Sequence, residues 1–214
     1  MSLLKKISTT LILVSIVTSN LVPTLTTYAS EIKKPIAQGR FYLKNFTESD
    51  VLNYDELIAM VSEKENMTIE EAKKFIGPEK IIKDSSGKAT RATYRTYHSS
   101  VWIASNYSAY PTFYCETSEW GNYRGIVKIL NSSLNRNHNG SSNQFSGTLY
   151  INLENANTIY YELNGDFFNN GTTTVSGGAN IGVGQSGTLS FSLSYASNHF
   201  KYINKYDRFY LNRP

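Results

Sequence analysis

Phe145-Ser146-Gly147-Thr148-Leu149-Tyr150-Ile151-Asn152-Leu153 is the stretch that decides the fold. Phe145, Gly147, Leu149, Ile151 and Leu153 share one face, against Thr148, Tyr150 and Asn152 on the other. A period of two with one apolar face is the mark of a half-buried β-strand. The same period runs through the flanking sequence. Thr93–His98, Val101–Ala104, Tyr110–Thr117 and Arg124–Leu134 read as strands before it. After it come Thr158–Leu163, ending at Asn164-Gly165, and a short strand Asp166–Phe168, ending at Asn170-Gly171. Thr172–Val183, Gly187–Tyr195 and His199–Leu211 follow. About eight to ten strands with turn signals at short intervals predict an antiparallel β-sandwich or barrel over residues 93–214. No helical stretch lies between the strands, which disfavours a parallel sheet.

Residues 31–92 differ in kind. Their 11 acidic and 11 basic residues cancel. Asn53-Tyr54-Asp55-Glu56 and Thr68-Ile69-Glu70-Glu71 read as capping boxes. Leu57, Ile58, Met60 and Val61 supply one apolar stripe; Ile69, Ala72, Phe75 and Ile76 supply the next, which Gly77-Pro78 stops. Two short antiparallel helices joined at Asn66-Met67 are expected. The run from Leu57-Ile58-Ala59-Met60-Val61 to Thr68-Ile69-Glu70-Glu71-Ala72 resembles the two helices of the peptidoglycan-binding LysM family. The flanking strands of that family, with a Gly-Asp before the first helix, are missing, so no binding residue carries over. A structural or propeptide-like segment is the favoured reading. Polar, Gly/Ser-containing 83–92 reads as a linker to the β domain.

The N-terminus sets the compartment. Lys5 and Lys6 precede an apolar run from Leu11 to Val22, then Pro23 and Thr27-Tyr28-Ala29. A positive n-region, a short apolar core and a small-x-small site make a secretory signal peptide over 1–29. The apolar run falls short of the ~20 residues that a spanning helix needs. Removing it leaves 19 basic and 17 acidic side chains, a net charge of +2. That is too mild to point to nucleic acid. Exported, Cys-poor and Lys/Asn-rich together suggest a secreted, extracellular protein of a low-GC Gram-positive bacterium.

Chemistry-bearing residues are sparse. Cys115 lies mid-strand in Tyr114-Cys115-Glu116, with no helix start to activate it, and reads as a buried thiol. His98, His138 and His199 do not cluster, and a lone Cys cannot build a multi-Cys zinc site, so no metal is assigned. Glu116 with Glu119, or Glu162 with Asp166, would be the glycosidase pairs, but nothing in their spacing sets the needed separation. No P-loop, dinucleotide fingerprint or Gly-x-Ser-x-Gly elbow is present. No catalytic residue and no cofactor is assigned, and the expected class is non-enzymatic.

Tyrosine is the compositional excess, 13 of them after residue 92. Tyr160 and Tyr161 must point to opposite faces of one strand. Tyr202, Tyr206 and Tyr210 share a face of the last strand, beside Lys201, Lys205, Arg208 and Arg213. Exposed rings stack on sugars, and cations meet wall phosphates or anionic lipids. Tyr202, Tyr206, Tyr210, Lys201, Lys205 and Arg208 are therefore the candidate ligand residues, for a cell-wall glycan or an anionic envelope polymer.

No Asp, Glu, Lys or Arg occurs from Phe167 to Phe200. Within this stretch Val175, Ile181, Val183, Leu189, Phe191 and Leu193 alternate with Ser, Thr, Asn and Gly. Two strands around Gly184-Gln185-Ser186-Gly187 resemble the insertion hairpins of β-pore-forming toxins, which implies a bacteriocin-like or pore-forming alternative acting on a membrane. A half-buried sandwich strand alternates in the same way. In organisation the chain also resembles small secreted Gram-positive proteins with a helical lead and a C-terminal β domain, some of them proposed as antagonists of neighbouring cells. The favoured expectation is a wall- or envelope-binding module at a bacterial cell surface. The pore-former and a structural or prophage-type secreted protein are the alternatives. If the leader reading is right, N-terminal sequencing of protein from culture medium starts at Ser30 or Glu31; Met1 on membrane-associated material overturns it.

Overall fold

Two capping boxes start the helices. Helix α1 (Tyr54–Glu65) begins where the Glu56 N–H donates to Asn53 Oδ1 at 3.0 Å and the Asn53 N–H donates to the Glu56 carboxylate at 2.9 Å. Helix α2 (Ile69–Ile76) repeats the device with Thr68 and Glu71. Each box satisfies two otherwise orphaned donors. Asn66, at φ 52°, closes α1 in the left-handed conformation, and Gly77 ends α2. Both helices stand where the sequence predicts them. This computed structural model describes residues 46–83, 87, 89–104 and 106–211. The expected signal peptide lies outside those residues, as do positions 84–86 and 88 of the expected linker.

Thirteen strands are described: β1 (Phe46–Glu48), β2 (Ile81–Lys83), β3 (Ala89–Arg91), β4 (Thr93–Ser99), β5 (Val101–Ala104), β6 (Tyr107–Trp120), β7 (Tyr123–Asn135), β8 (Asn137–His138), β9 (Ser141–Ser142), β10 (Gln144–Asn155), β11 (Thr158–Ser176), β12 (Ile181–Gly182) and β13 (Gln185–Tyr210). Every pairing between them is antiparallel. The fold is mainly β and sandwich-like, with the two helices between β1 and the remaining strands. The first sheet runs β1-β4-β6-β7-β12, with β5 also on β6. The second is β10, β11 and β13 closed into a small barrel.

The first sheet is a middle layer. Tyr94 and Tyr114 turn one way and cluster with Leu57, Ile58, Val61, Ala72 and Ile76 of the helices. Tyr97, Phe113 and Cys115 turn the other way into the core shared with the barrel. Both faces are covered, so β4 and much of β6 are buried almost continuously. Polar contacts fix the helices in place. The Tyr114 hydroxyl donates to Glu65, Ser133 Oγ donates to the same carboxylate at 2.6 Å, and Asn131 Nδ2 donates to the Phe75 carbonyl at 2.8 Å. The segment expected as a linker instead contributes to a hairpin, Ile81–Lys83 on Ala89–Arg91. Ala92, just after it, is buried in the helix-facing core.

The barrel corrects the expected strand ends. Asn164-Gly165 and Asn170-Gly171 do not turn the chain, because β11 runs through both. Gly187–Tyr195 and His199–Leu211 are likewise one strand, β13. The long strands bend instead of breaking. Gly147 and Gly165 face each other across β10 and β11, each at φ 155°. A Cβ on Gly165 would lie 2.2 Å from the Ser146 carbonyl oxygen and 2.7 Å from the Gly147 Cα. The Phe145 ring lies over both glycines and packs on Phe167 and Phe191, with centroids 4.8 and 5.3 Å apart. Register shifts at Phe167/Phe168 and Thr172/Thr173 add further bend. Gly165→Ala therefore destabilises the fold by about 3 kcal/mol, from a disfavoured backbone conformation plus overpacking. Urea unfolding measures it; a change under about 0.5 kcal/mol would show that the close approach does not matter.

His98 provides a pH dependence. Its Nε2 meets the Thr47 hydroxyl, and its buried Nδ1 has no hydrogen-bond partner. Burial, helped by Lys64, lowers its pKa to about 4, against about 6.5 in an unfolded chain. Between those values the unfolded chain binds more protons than the folded one. The His98 contribution to stability is thus present above about pH 6.5 and is lost as pH falls toward 4. Stability should fall from pH 7 to 5.5 with a limiting slope of about 1.4 kcal/mol per unit. His98→Gln should flatten that slope in urea titrations at several pH values. An unchanged slope would remove His98 as its source.

Candidate functional site

Even-numbered residues of β10, of β11 up to Asp166 and of the end of β13 point away from the barrel core, while Ile151, Leu153, Ile159, Tyr161 and Leu163 fill it. Register then decides which outward residues meet. Tyr150 lies opposite Glu162, Asn152 opposite Tyr160, Tyr160 opposite Arg208, and Glu162 opposite Tyr206. The tyrosines fall on a diagonal. Tyr150 and Tyr160 have ring centroids 6.1 Å apart, and Tyr160 and Tyr206 6.4 Å apart. Tyr206 is 71% exposed at the open end of this row. Farther along β13, exposed Tyr202 donates its hydroxyl to Asn164 Oδ1 at 3.0 Å. Asn152, Asn164 and Asn204 supply amides beside the rings.

Arg208 holds the row together. Its guanidinium lies 4.8 Å from the centre of the Tyr160 ring. Its Nε and Nη2 each donate to the Glu154 carboxylate at 3.0 Å. That hydrogen bonding raises the Arg208 pKa above its usual value. Partial burial, then the Glu162 charge, raises that of Tyr160, so the ring stays a neutral phenol at ordinary pH. The face is aromatic and amide-rich, and the Arg208 guanidinium on it is already paired with the Glu154 carboxylate.

The structure brings together four of the six expected ligand residues. Tyr202, Tyr206, Tyr210 and Arg208 share the outward face. Lys201 and Lys205 sit at odd positions and face the opposite way, so the expected block of cations does not assemble there. Arg213 lies outside the described residues. Tyr150 and Tyr160 are additions that the sequence did not mark as ligand residues. Alternation gives their facing, but only the β10–β11–β13 register puts them beside Tyr206.

The other candidates fall elsewhere. Cys115 is fully buried, and burial pushes its thiol pKa well up, away from a reactive thiolate. Glu116 pairs with Lys80 at 2.8 Å and Glu119 with Arg95 at 2.7 Å. Asp166 pairs with His199 at 2.7 Å. Among the described residues no three His, Cys, Asp or Glu side chains converge as a metal site. Of the alternating stretch, Ile181, Leu189 and Phe191 are core residues, Leu193 is half-buried, and Val175 and Val183 are exposed. That stretch is not a simple hairpin: β12 leaves the barrel to pair with β7 in the first sheet. No protein-family model, curated protein or solved structure matches the chain.

Proposed function

We propose that the chain is a secreted, non-enzymatic module that binds glycan at a bacterial cell surface through the outward face of the barrel. The observation that carries the reading is the Tyr150–Tyr160–Tyr206 diagonal, with Tyr202 beside it and amides around it. Aromatic rings on a rigid sheet offer flat apolar area at little entropic cost, because their rotamers are already limited by neighbours. The C–H faces of a pyranose fit such rings. Asn152, Asn164 and Asn204 each carry both a donor and an acceptor, which suits hydroxyl groups. Arg208 is held by Glu154, so the face favours a neutral chain over a polyanion. The buried Ile181, Leu189 and Phe191 tie the alternating stretch to the core, and releasing them would cost apolar burial of about 1.5–3 kcal/mol each.

Co-sedimentation with purified Gram-positive cell wall tests the reading. The full protein should pellet with the wall. Tyr206→Ala and Tyr202→Ala should each weaken retention by about tenfold, close to a hot-spot loss of ~1.4 kcal/mol. Both side chains are exposed, so thermal stability should hold. Retention unaffected by either change sinks the proposal. Dye release from liposomes without wall retention would instead favour the pore-forming alternative.

A further inference from the structure

The inner side of the last strand breaks its own pattern. From Ile203 to Phe209 the odd positions read Ile203, Lys205, Asp207, Phe209. Ile203 and Phe209 are buried in the core, whereas Lys205 and Asp207 are exposed between them. They lie opposite Leu163 and Tyr161 of β11, on the side that faces β5. Here the barrel and the first sheet stand apart and leave a cleft of about 200 Å³. Lys205 and Asp207 line one wall, Val101 and Trp102 of β5 the other, and Tyr161 lies at its base. Tyr206, the exposed end of the tyrosine row, borders the same cleft.

The lining has a recognisable chemistry. Trp102 is 59% exposed, although it is a large apolar ring beside the core. The Lys205 ammonium has no hydrogen-bond or ion-pair partner among the described residues. The Asp207 carboxylate accepts only the Arg208 backbone N–H, at 2.8 Å, which leaves acceptor sites open. The Tyr161 hydroxyl and Ser99 Oγ share a hydrogen bond at 2.7 Å, which fixes the base of the cleft. An exposed indole face, a free ammonium and a free carboxylate within one small cleft match one pyranose ring. A ring held there would stack on Trp102, with Asp207 accepting from one hydroxyl and Lys205 donating to its neighbour. The volume is below the roughly 300–1,000 Å³ of a site for a drug-sized ligand, which suits a single ring and not a chain.

We infer that this cleft binds the terminal sugar ring of a neutral glycan whose following rings lie along the tyrosine face. The inference rests on the glycan-binding reading above. It adds the polarity of the bound chain and the recognition of its end. In a 1,4-linked 2-acetamido glycan only the non-reducing terminal ring carries two adjacent free ring hydroxyls. A Lys–Asp pair that takes adjacent hydroxyls therefore selects a chain end. Inward charges also guard open strand edges, and no strand pairs with the far edge of residues 199–210 among those described. The test separates that role from binding.

The chain has two tryptophans, Trp102 and Trp120. Trp120 is 82% exposed at the β6–β7 turn, so Trp120→Phe leaves Trp102 as the sole indole in an intact fold. In that background, titration with N-acetylglucosamine tetramer should give a saturable change in Trp102 emission. Lys205→Met and Asp207→Asn should each weaken the apparent affinity at least tenfold with the melting temperature unchanged. Tyr202→Ala should reduce wall retention yet keep the Trp102 response. Wall retention with no Trp102 response overturns the cleft and leaves the tyrosine face standing; loss of both sinks the two together. A response to inorganic phosphate that Asp207→Asn strengthens would make this an anion site and overturn the sugar assignment. Normal binding by Lys205→Met with new self-association would make the pair edge guards and overturn it equally.

Discussion

The closure of three strands into a barrel depends on the approach of two glycines. Gly147 and Gly165 bring β10 and β11 so close that a Cβ on either would overlap the other backbone. Phe145 covers the pair and joins Phe167 and Phe191 in the core. An aromatic ring over a glycine restores the burial that the missing side chain gives up. With so few strands, each long one must serve two walls. β13 pairs with β10 over residues 185–191 and with β11 over 190–210. Bend at the glycines and at the register shifts is what allows this.

Closure also sets where polar surface can go. The barrel interior is small and filled by Leu149, Ile151, Leu163 and the three phenylalanines. Outward positions are left to tyrosine, amide and hydroxyl side chains. The first sheet has the opposite economy. Helices cover one side of it and the barrel the other, so Tyr94, Tyr97 and Tyr114 are core residues. Tyr97 and Tyr114 have hydroxyl pKa values pushed far up, chiefly by burial. The same residue type thus does two jobs. As Tyr94, Tyr97, Tyr114 and Tyr161 it fills volume; as Tyr202, Tyr206 and Tyr210 it presents a ring to solvent.

Much of this was legible from alternation and capping. Asn53/Glu56 and Thr68/Glu71 located both helices, and the period-two runs located β4 to β7 and β10. The misplaced ends came from reading Asn164-Gly165 and Asn170-Gly171 as turns, the ordinary meaning of an Asn-Gly pair. In this chain those glycines relieve a close approach that exists only once strands distant in sequence have paired. Ligand residues followed the same rule. Tyr202, Tyr206 and Tyr210 could be grouped from their spacing on one strand. Tyr150 and Tyr160 join them only through a register that composition and spacing do not encode.

Lys205 and Asp207 show how far a single-strand reading reaches. Position parity alone separates them from Tyr202, Tyr206 and Arg208, so Lys205 was never part of the aromatic patch. Parity also says that they replace apolar residues on an inward face, between Ile203 and Phe209. A buried charge there would be costly without a partner. The structure removes the cost by opening the seam: β5 is only four residues long, and the cleft beside it gives both charges water. An inward charge pair kept in water by a short neighbouring strand, next to an exposed tryptophan, is therefore a departure from good packing that a purely structural sandwich does not require.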